Sequence, residues 1–92
     1  MKIYQSKLFE KKVRKMSKFE KDSLDREIKR IAEDPSIGTE KKGDLRGVFV
    51  HKFKFKTTQY LLAYRLVAGD LGLVMIGQAQ PHFLQRIPGI PL

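Results

Sequence analysis

The stretch that decides the fold spans residues 48–56 and reads VFVHKFKFK. Apolar and basic residues alternate in it, which indicates a β-strand with one face in a core and the other in solvent. The core face is predicted to carry Phe49, Phe53 and Phe55. The solvent face is predicted to carry Lys52, Lys54 and Lys56. Lysines at every second position suit a nucleic acid backbone, although an ordinary solvated strand face has the same pattern.

The composition predicts one folded domain, residues 1–92, with an anionic partner. The chain of 92 residues has a formal net charge of +9 and 41% hydrophobic residues, too many for a disordered basic tail. It has no cysteine and only two histidines, which excludes zinc fingers, iron–sulfur clusters and thiol chemistry, and no metal or other cofactor is predicted. No signal peptide and no apolar run of about 20 residues is present, so a cytoplasmic protein with no membrane partner is expected.

The first half of the chain is predicted to form a short strand over residues 2–5 and then two helices. The apolar stripe of the first helix is Phe9, Val13 and Met16. The second helix begins at residues 17–20, which have the spacing of a capping box, and the Asp34-Pro35 pair ends it. Residues 36–47 are expected to be a connecting loop.

The second half is predicted to form an antiparallel meander of three strands near residues 48–56, 59–67 and 71–79, because their connections are short. The fold class is therefore α+β, with both helices packed on the phenylalanine face of a small sheet. With Thr57 and Thr58 as the first turn and a four-residue second turn, polar side chains gather on the lysine face. They are Lys52, Lys54, Lys56, Arg65, Gln78, Gln80 and His82. His51 is expected on the apolar face, as a hydrogen-bonded histidine at the edge of the core.

The chemistry open to the lysine face does not include a two-metal nuclease, because Asp70 is the only carboxylate side chain after Asp44. Metal-free RNA cleavage needs instead a base for the 2′-hydroxyl proton, an acid for the leaving 5′-oxygen, and cations beside the phosphate. Histidine titrates near neutral pH, so His82 is a candidate acid or base. A merely solvated His82 also fits the sequence.

Three stretches and the order of the predicted elements resemble the RelE/ParE superfamily, the toxins of type II toxin–antitoxin pairs. The stretches are GDLRG at residues 43–47, the basic strand at residues 48–56, and YLLAYR at residues 60–65. The resemblance covers nearly the whole chain. It implies a short strand, two helices and a curved three-stranded meander.

In the RelE branch, this resemblance implies a ribosome-dependent endoribonuclease that cuts messenger RNA without a metal. Lys52 and Lys54 look like the paired lysines of that branch, and His82 is similar in position to a histidine near the C-terminus of some relatives. The chain departs from the pattern at Leu61, where an arginine is usual, and Arg65 is the candidate replacement. The predicted catalytic residues are Lys52, Lys54, His82 and Arg65. The predicted RNA-binding residues are Lys52, Lys54, Lys56, Arg46, Arg65, Gln78, Gln80 and Arg86.

Two other activities fit the same resemblance. The ParE branch inhibits DNA gyrase by binding, and the absence of the usual C-terminal arginine and tyrosine, with Gln80, Pro81 and Phe83 in that region, favours it. The third possibility is a catalytically inactive co-repressor. All three imply a cognate antitoxin as partner, and contact with operator DNA only through the antitoxin complex. The ribosome and messenger RNA, or gyrase, are the predicted targets.

Overall fold

The computed structural model describes residues 1–43, 46–80 and 83 of the chain. Two helices pack on a mixed sheet, so the α+β fold class is confirmed. The helices are α1 (Lys7–Arg14) and α2 (Lys18–Glu33), and a 3₁₀ turn (Pro35–Ile37) follows them. The strands are β1 (Ile3–Gln5), β2 (Thr39–Glu40), β3 (Val48–Phe55), β4 (Thr58–Val67) and β5 (Asp70–Gln78).

Both helices begin at serine caps. The Ser6 hydroxyl accepts a hydrogen bond from the Phe9 amide at 3.0 Å. At the start of α2 the predicted capping box is confirmed, since Ser17 Oγ accepts from the Glu20 amide at 3.2 Å and Glu20 Oε1 accepts from the Ser17 amide at 2.9 Å. These bonds satisfy amides that have no partner inside a helix.

The sheet has five strands in the order β1, β5, β4, β3, β2. β1 runs parallel to β5, and the other neighbours are antiparallel. The expectation that residues 36–47 form only a loop was wrong, because β2 pairs with β3 through Thr39 and Val50 and through Glu40 and Phe49. A strand of two residues is too short to give a periodic signal.

The turn between β3 and β4 differs from the predicted one by a single residue. Lys56 and Thr57 form it, with Lys56 at a φ of 56°, so that Phe55 pairs with Thr58. Lys52 therefore lies opposite Leu61, whereas the predicted turn would have placed it opposite Ala63. A shift of two residues keeps the paired residues of β3 and β4 on their predicted faces, because the strand period is two.

A β-bulge in β5 changes the faces at the end of that strand. Ala63 pairs with Met75 but Tyr64 pairs with Leu73, so Val74 is an extra residue. Beyond the bulge, Gln78 lies opposite Tyr60. Without the extra residue, Gln78 would lie opposite Gln59, beside the lysines. The prediction that Gln78 shares the lysine face was therefore wrong.

The two faces of the sheet hold separate apolar clusters. On the helix face, the buried residues are Phe9, Leu24, Ile31, Phe53, Tyr60, Leu62, Tyr64, Leu71, Leu73 and Ile76. We call the opposite face, which carries Lys52, Lys54, Arg65 and Gly72, the outer face. It contains a second buried cluster of Val48, Val50, Ala63, Met75 and Phe83. The outer face therefore has buried apolar residues between its polar positions.

Candidate functional site

Lys52 and Lys54 form the centre of the candidate site. Both are exposed on the outer face of β3, and their partners on β4 are Leu61 and Gln59. Their Cα atoms are about 7 Å apart, since each strand residue advances about 3.3 Å. The pairing with β2 ends at Val50, so among the described residues no strand pairs with this side of β3 at the two lysines.

Arg65 lies on the same face but not beside the lysines. It is exposed and pairs with Val48, four residues before Lys52 on β3. That separation is about 13 Å along the strand. Arg46, also exposed, lies in the turn two residues before β3 and so at the Arg65 end of the sheet. The predicted cations thus form two groups, one at each end of the outer face.

Lys56 lies outside the outer face, contrary to the sequence prediction. It occupies the turn after β3, and its Nζ lies 5.6 Å from the centroid of the Phe55 ring. Its positive charge is one of the influences that lower the pKa of Glu20, at the start of α2. Lys56 therefore belongs to the helix side of the hairpin, because a residue in the turn no longer follows the alternation of the strand.

The remaining predicted residues lie at or beyond the end of β5. Gln78 and Gln80 are exposed and line a cleft of about 330 Å³. Lys12, Met16, Tyr60, Met75, Ile76, Gly77 and Phe83 complete its walls. His82 and Arg86 lie outside the described residues, so their predicted roles stay predictions.

His51 has a structural partner, which confirms its interpretation as a histidine at the core edge. Its Nε2 lies 2.7 Å from Oε1 of Glu27 on α2, and the residue is 8% exposed. The ring also stacks on Phe53, with centroids 6.1 Å apart. His51 therefore joins α2 to β3 and is turned away from the lysine pair.

Tyr60 joins the same helix to β4. Its hydroxyl donates a hydrogen bond to Glu20 Oε2 at 2.5 Å. This bond is the largest cause of the lowered pKa of Glu20, and it raises the pKa of Tyr60 to about 12. Tyr60 is therefore a protonated donor near neutral pH, and a role as proton acceptor is ruled out for it there.

Subtraction of the tyrosinate absorbance of Tyr60→Phe from that of the wild type isolates the titration of Tyr60. We expect this difference to show a transition near pH 12. Since the folded pKa of Tyr60 lies above the ordinary value of 10.0, its contribution to stability is present below pH 10 and is lost as the pH rises towards 12. The Glu20 pKa is lowered from its ordinary value of 4.5, so the contribution of the Glu20 carboxylate to stability is present above pH 4.5 and is lost in more acidic solution. Glu20→Gln, which can still form the capping box, is expected to move the Tyr60 transition towards pH 10. An unchanged transition in that variant would contradict the assignment.

Tyr4 is a functional candidate that the sequence reasoning missed. It pairs with Gly72, which pairs with Arg65, so all three positions share the outer face. Tyr4 is 55% exposed. The alternation in residues 2–5 separates Tyr4 from Ile3, but the sequence has no local signal that β1 runs alongside β5, since the two are about 70 residues apart.

Within residues 1–43, 46–80 and 83, no group of three or more His, Asp or Glu side chains is arranged to hold a metal ion. In the same part of the chain, neither helix has the length and apolar character needed to cross a membrane.

Comparison with known proteins identifies the family. The intact E. coli RelBE toxin–antitoxin complex contains a chain of similar fold, with a TM-score of 0.69 and 18% sequence identity over 86% of this chain and 96% of that one. No curated protein sequence matches significantly. The family model described as ParE-like toxin of type II bacterial toxin–antitoxin system matches residues 3–85, which include both helices and every strand. The chain therefore belongs to the ParE-like toxins of type II toxin–antitoxin systems, within the RelE/ParE superfamily.

Proposed function

We propose that this toxin cuts messenger RNA on the ribosome, without a metal ion, and so stops translation in the cytoplasm. The observation that carries the proposal is the pair of exposed lysines, Lys52 and Lys54, side by side on the outer face. Two lysines whose Cα atoms are about 7 Å apart on one strand face can both reach a phosphodiester, whose negative charge grows as the 2′-oxygen attacks phosphorus.

In the proposed reaction the 2′-hydroxyl loses its proton, its oxygen bonds to phosphorus, the bond between phosphorus and the 5′-oxygen breaks, and the 5′-oxygen gains a proton. Lys52 and Lys54 stabilise the charge on the phosphorus oxygens. His82 is proposed to make one of the two proton transfers, as base for the 2′-hydroxyl or as acid for the 5′-oxygen, and solvent water makes the other. Arg65, about 13 Å along the face, is assigned to the RNA backbone rather than to the reacting phosphate. Arg46 is assigned to the same backbone contacts, and Gln80 and Arg86 keep their proposed RNA-binding roles.

A cognate antitoxin is the expected partner, as for a toxin of a type II pair. The solved relative is itself described as a toxin–antitoxin complex. We propose that the antitoxin of this chain uses an acidic or amphipathic segment, because the toxin has a formal net charge of +9. Operator DNA is proposed to be contacted only through that complex.

Inhibition of DNA gyrase is the second candidate function. The matching family model is named for ParE-like toxins. The separation of Arg65 from Lys52 and Lys54 also favours it, since a binding inhibitor does not need its cations at one phosphate. In this case the two cationic groups would contact separate parts of an acidic protein surface.

We expect Lys54→Ala to slow messenger cleavage by about 100-fold or more in a purified translation system, because it removes one charge-stabilising group. New 5′ ends are mapped by primer extension, with and without ribosomes. Lys52→Ala is expected to act in the same direction, whereas Lys29→Ala, an exposed lysine on α2, is the matched control and keeps the wild-type rate.

DNA supercoiling by purified gyrase is measured with the same proteins. Uncut messenger together with blocked supercoiling would replace the RNA proposal by gyrase inhibition. Cleavage at wild-type rate by the double variant Lys52→Ala/Lys54→Ala would exclude the lysine pair as the catalytic centre.

A further inference from the structure

We propose that the outer face also has a slot for one base of single-stranded RNA, formed by Tyr4, Gly72 and Arg65. This inference rests on the proposed action on RNA and adds a binding position distant from the lysine pair. Tyr4 and Arg65 form the walls of the slot, and the backbone of Gly72 forms its floor.

The strand register brings the three residues into one row. Tyr4 on β1 pairs with Gly72 on β5, and Gly72 pairs with Arg65 on β4. Neighbouring strands are about 4.8 Å apart, so the Cα atoms of Tyr4 and Arg65 are separated by about 10 Å. A base stacked between a phenol ring and a guanidinium group needs about 7 Å between those two planes. The row is therefore wide enough for one base, with room for the side chains to lean inward.

Gly72 is the observation that points to a ligand. Among the described residues, a Cβ atom on Gly72 would meet only the Arg65 carbonyl oxygen, at 3.8 Å, which is an ordinary contact. A Cβ on Gly38, in contrast, would lie 2.5 Å from the Tyr64 hydroxyl oxygen, so the fold itself requires that glycine. A strand glycine weakens the sheet and often marks a bulge or the close approach of another molecule. The extra residue of the β5 bulge is Val74, and Gly72 itself is regularly paired with Arg65 and Tyr4. At Gly72 the open side of the backbone is the outer face.

The chemistry of the walls favours a nucleotide. Tyr4 is a solvent-exposed aromatic ring, and Arg65 can stack on a base while it attracts the adjoining phosphate. Asp70, two residues before Gly72 on β5, is a carboxylate that also lies on the outer face. Its Oδ1 accepts a hydrogen bond from the Lys2 amide at 2.9 Å.

The slot also extends the lysine pair into one binding surface. Arg65 is about 13 Å along the strand from the level of Lys52. A single RNA strand can therefore contact the lysines through its phosphates and place a more distant base at Tyr4. Stacking would fix the position of the strand relative to the lysines, which electrostatic attraction alone cannot do.

The test is fluorescence anisotropy with a labelled 2′-O-methyl oligoadenylate, which lacks the 2′-hydroxyl and cannot be cleaved. Tyr4→Ala is expected to weaken binding by about tenfold, since it removes the ring on which one base stacks. The Cβ atom in Gly72→Val makes an ordinary contact with the Arg65 carbonyl oxygen, and the side chain fills the floor, so this variant is expected to weaken binding similarly. Tyr4→Phe retains the ring and should bind like the wild type. An oligomer of the same length without bases should bind the wild type and Tyr4→Ala equally.

The slot would be overturned if Tyr4→Ala and Gly72→Val both bound the oligoadenylate with wild-type affinity. It would also be overturned if Tyr4→Ala lost as much affinity for the oligomer without bases as for the oligoadenylate. Unfolding curves of each variant exclude a damaged fold. The slot and the proposed function fail separately. Normal oligoadenylate binding by the slot variants, with cleavage lost in Lys54→Ala, would remove the slot only. Base-dependent binding that needs Tyr4, with messenger left uncut by the wild type, would support the slot and remove the cleavage activity.

Discussion

Replacing Tyr64 by alanine is expected to lower the free energy of unfolding by about 3–5 kcal/mol. Tyr64 is fully buried at 0% exposure and stacks on Phe49 with ring centroids 5.4 Å apart. Its hydroxyl donates to the Pro35 carbonyl oxygen at 2.6 Å and accepts from the Gly38 amide at 3.0 Å. The side chain therefore fills the core and also holds the segment after α2 against the sheet.

Urea unfolding followed by far-ultraviolet circular dichroism measures this loss. Tyr64→Phe keeps the ring and is expected to cost about 1–3 kcal/mol, because the Pro35 and Gly38 backbone groups lose their partner. The matched control is Tyr4→Ala, an exposed tyrosine whose removal should change stability by about 0.5 kcal/mol or less. A loss below about 1 kcal/mol in Tyr64→Ala would show that the core closes over the missing ring.

The sequence predicted the features that depend on local periodicity. Alternation in residues 48–56 assigned Phe53 and Lys54 to opposite faces, and the capping box located the start of α2; the structure confirms both. The features it could not predict depend on exceptions to periodicity. The bulge at Val74 moves Gln78 to the helix face, and Lys56 takes a left-handed turn conformation that is more usual for glycine or asparagine.

In the candidate site too, the sequence predicted what lies within a single strand but not what depends on the pairing between strands. The pairing of Lys52 and Lys54 follows from one strand and needed no tertiary information. The position of Arg65 depends on the register between β3 and β4. The turn predicted at Thr57 and Thr58 would place Arg65 opposite Val50, whereas the observed turn, displaced by one residue, places it opposite Val48. Tyr4 lies on the outer face because β1 pairs in parallel with β5. The two strands are about 70 residues apart, and neither segment has a sequence pattern that predicts this pairing.

The second large effect is expected at Glu27, where alanine should lower the free energy of unfolding by about 3 kcal/mol. Glu27 Oε1 lies 2.7 Å from His51 Nε2 and accepts a hydrogen bond from Arg30 at 3.0 Å. Its side chain is 15% exposed and that of His51 is 9% exposed, so little water can replace the lost carboxylate. Removal of one partner from a buried polar pair leaves the other unsatisfied, and this penalty exceeds the net contribution of the pair itself.

Replacement of both partners by apolar residues separates these two quantities. If the penalty dominates, Glu27→Leu/His51→Leu will recover most of the stability lost in Glu27→Ala, because two apolar side chains leave no buried polar atom unpaired. Asp25→Ala, at an exposed position of α2, is the control and should stay within about 0.5 kcal/mol of the wild type. A double variant as unstable as Glu27→Ala would mean that the pair contributes through its own attraction.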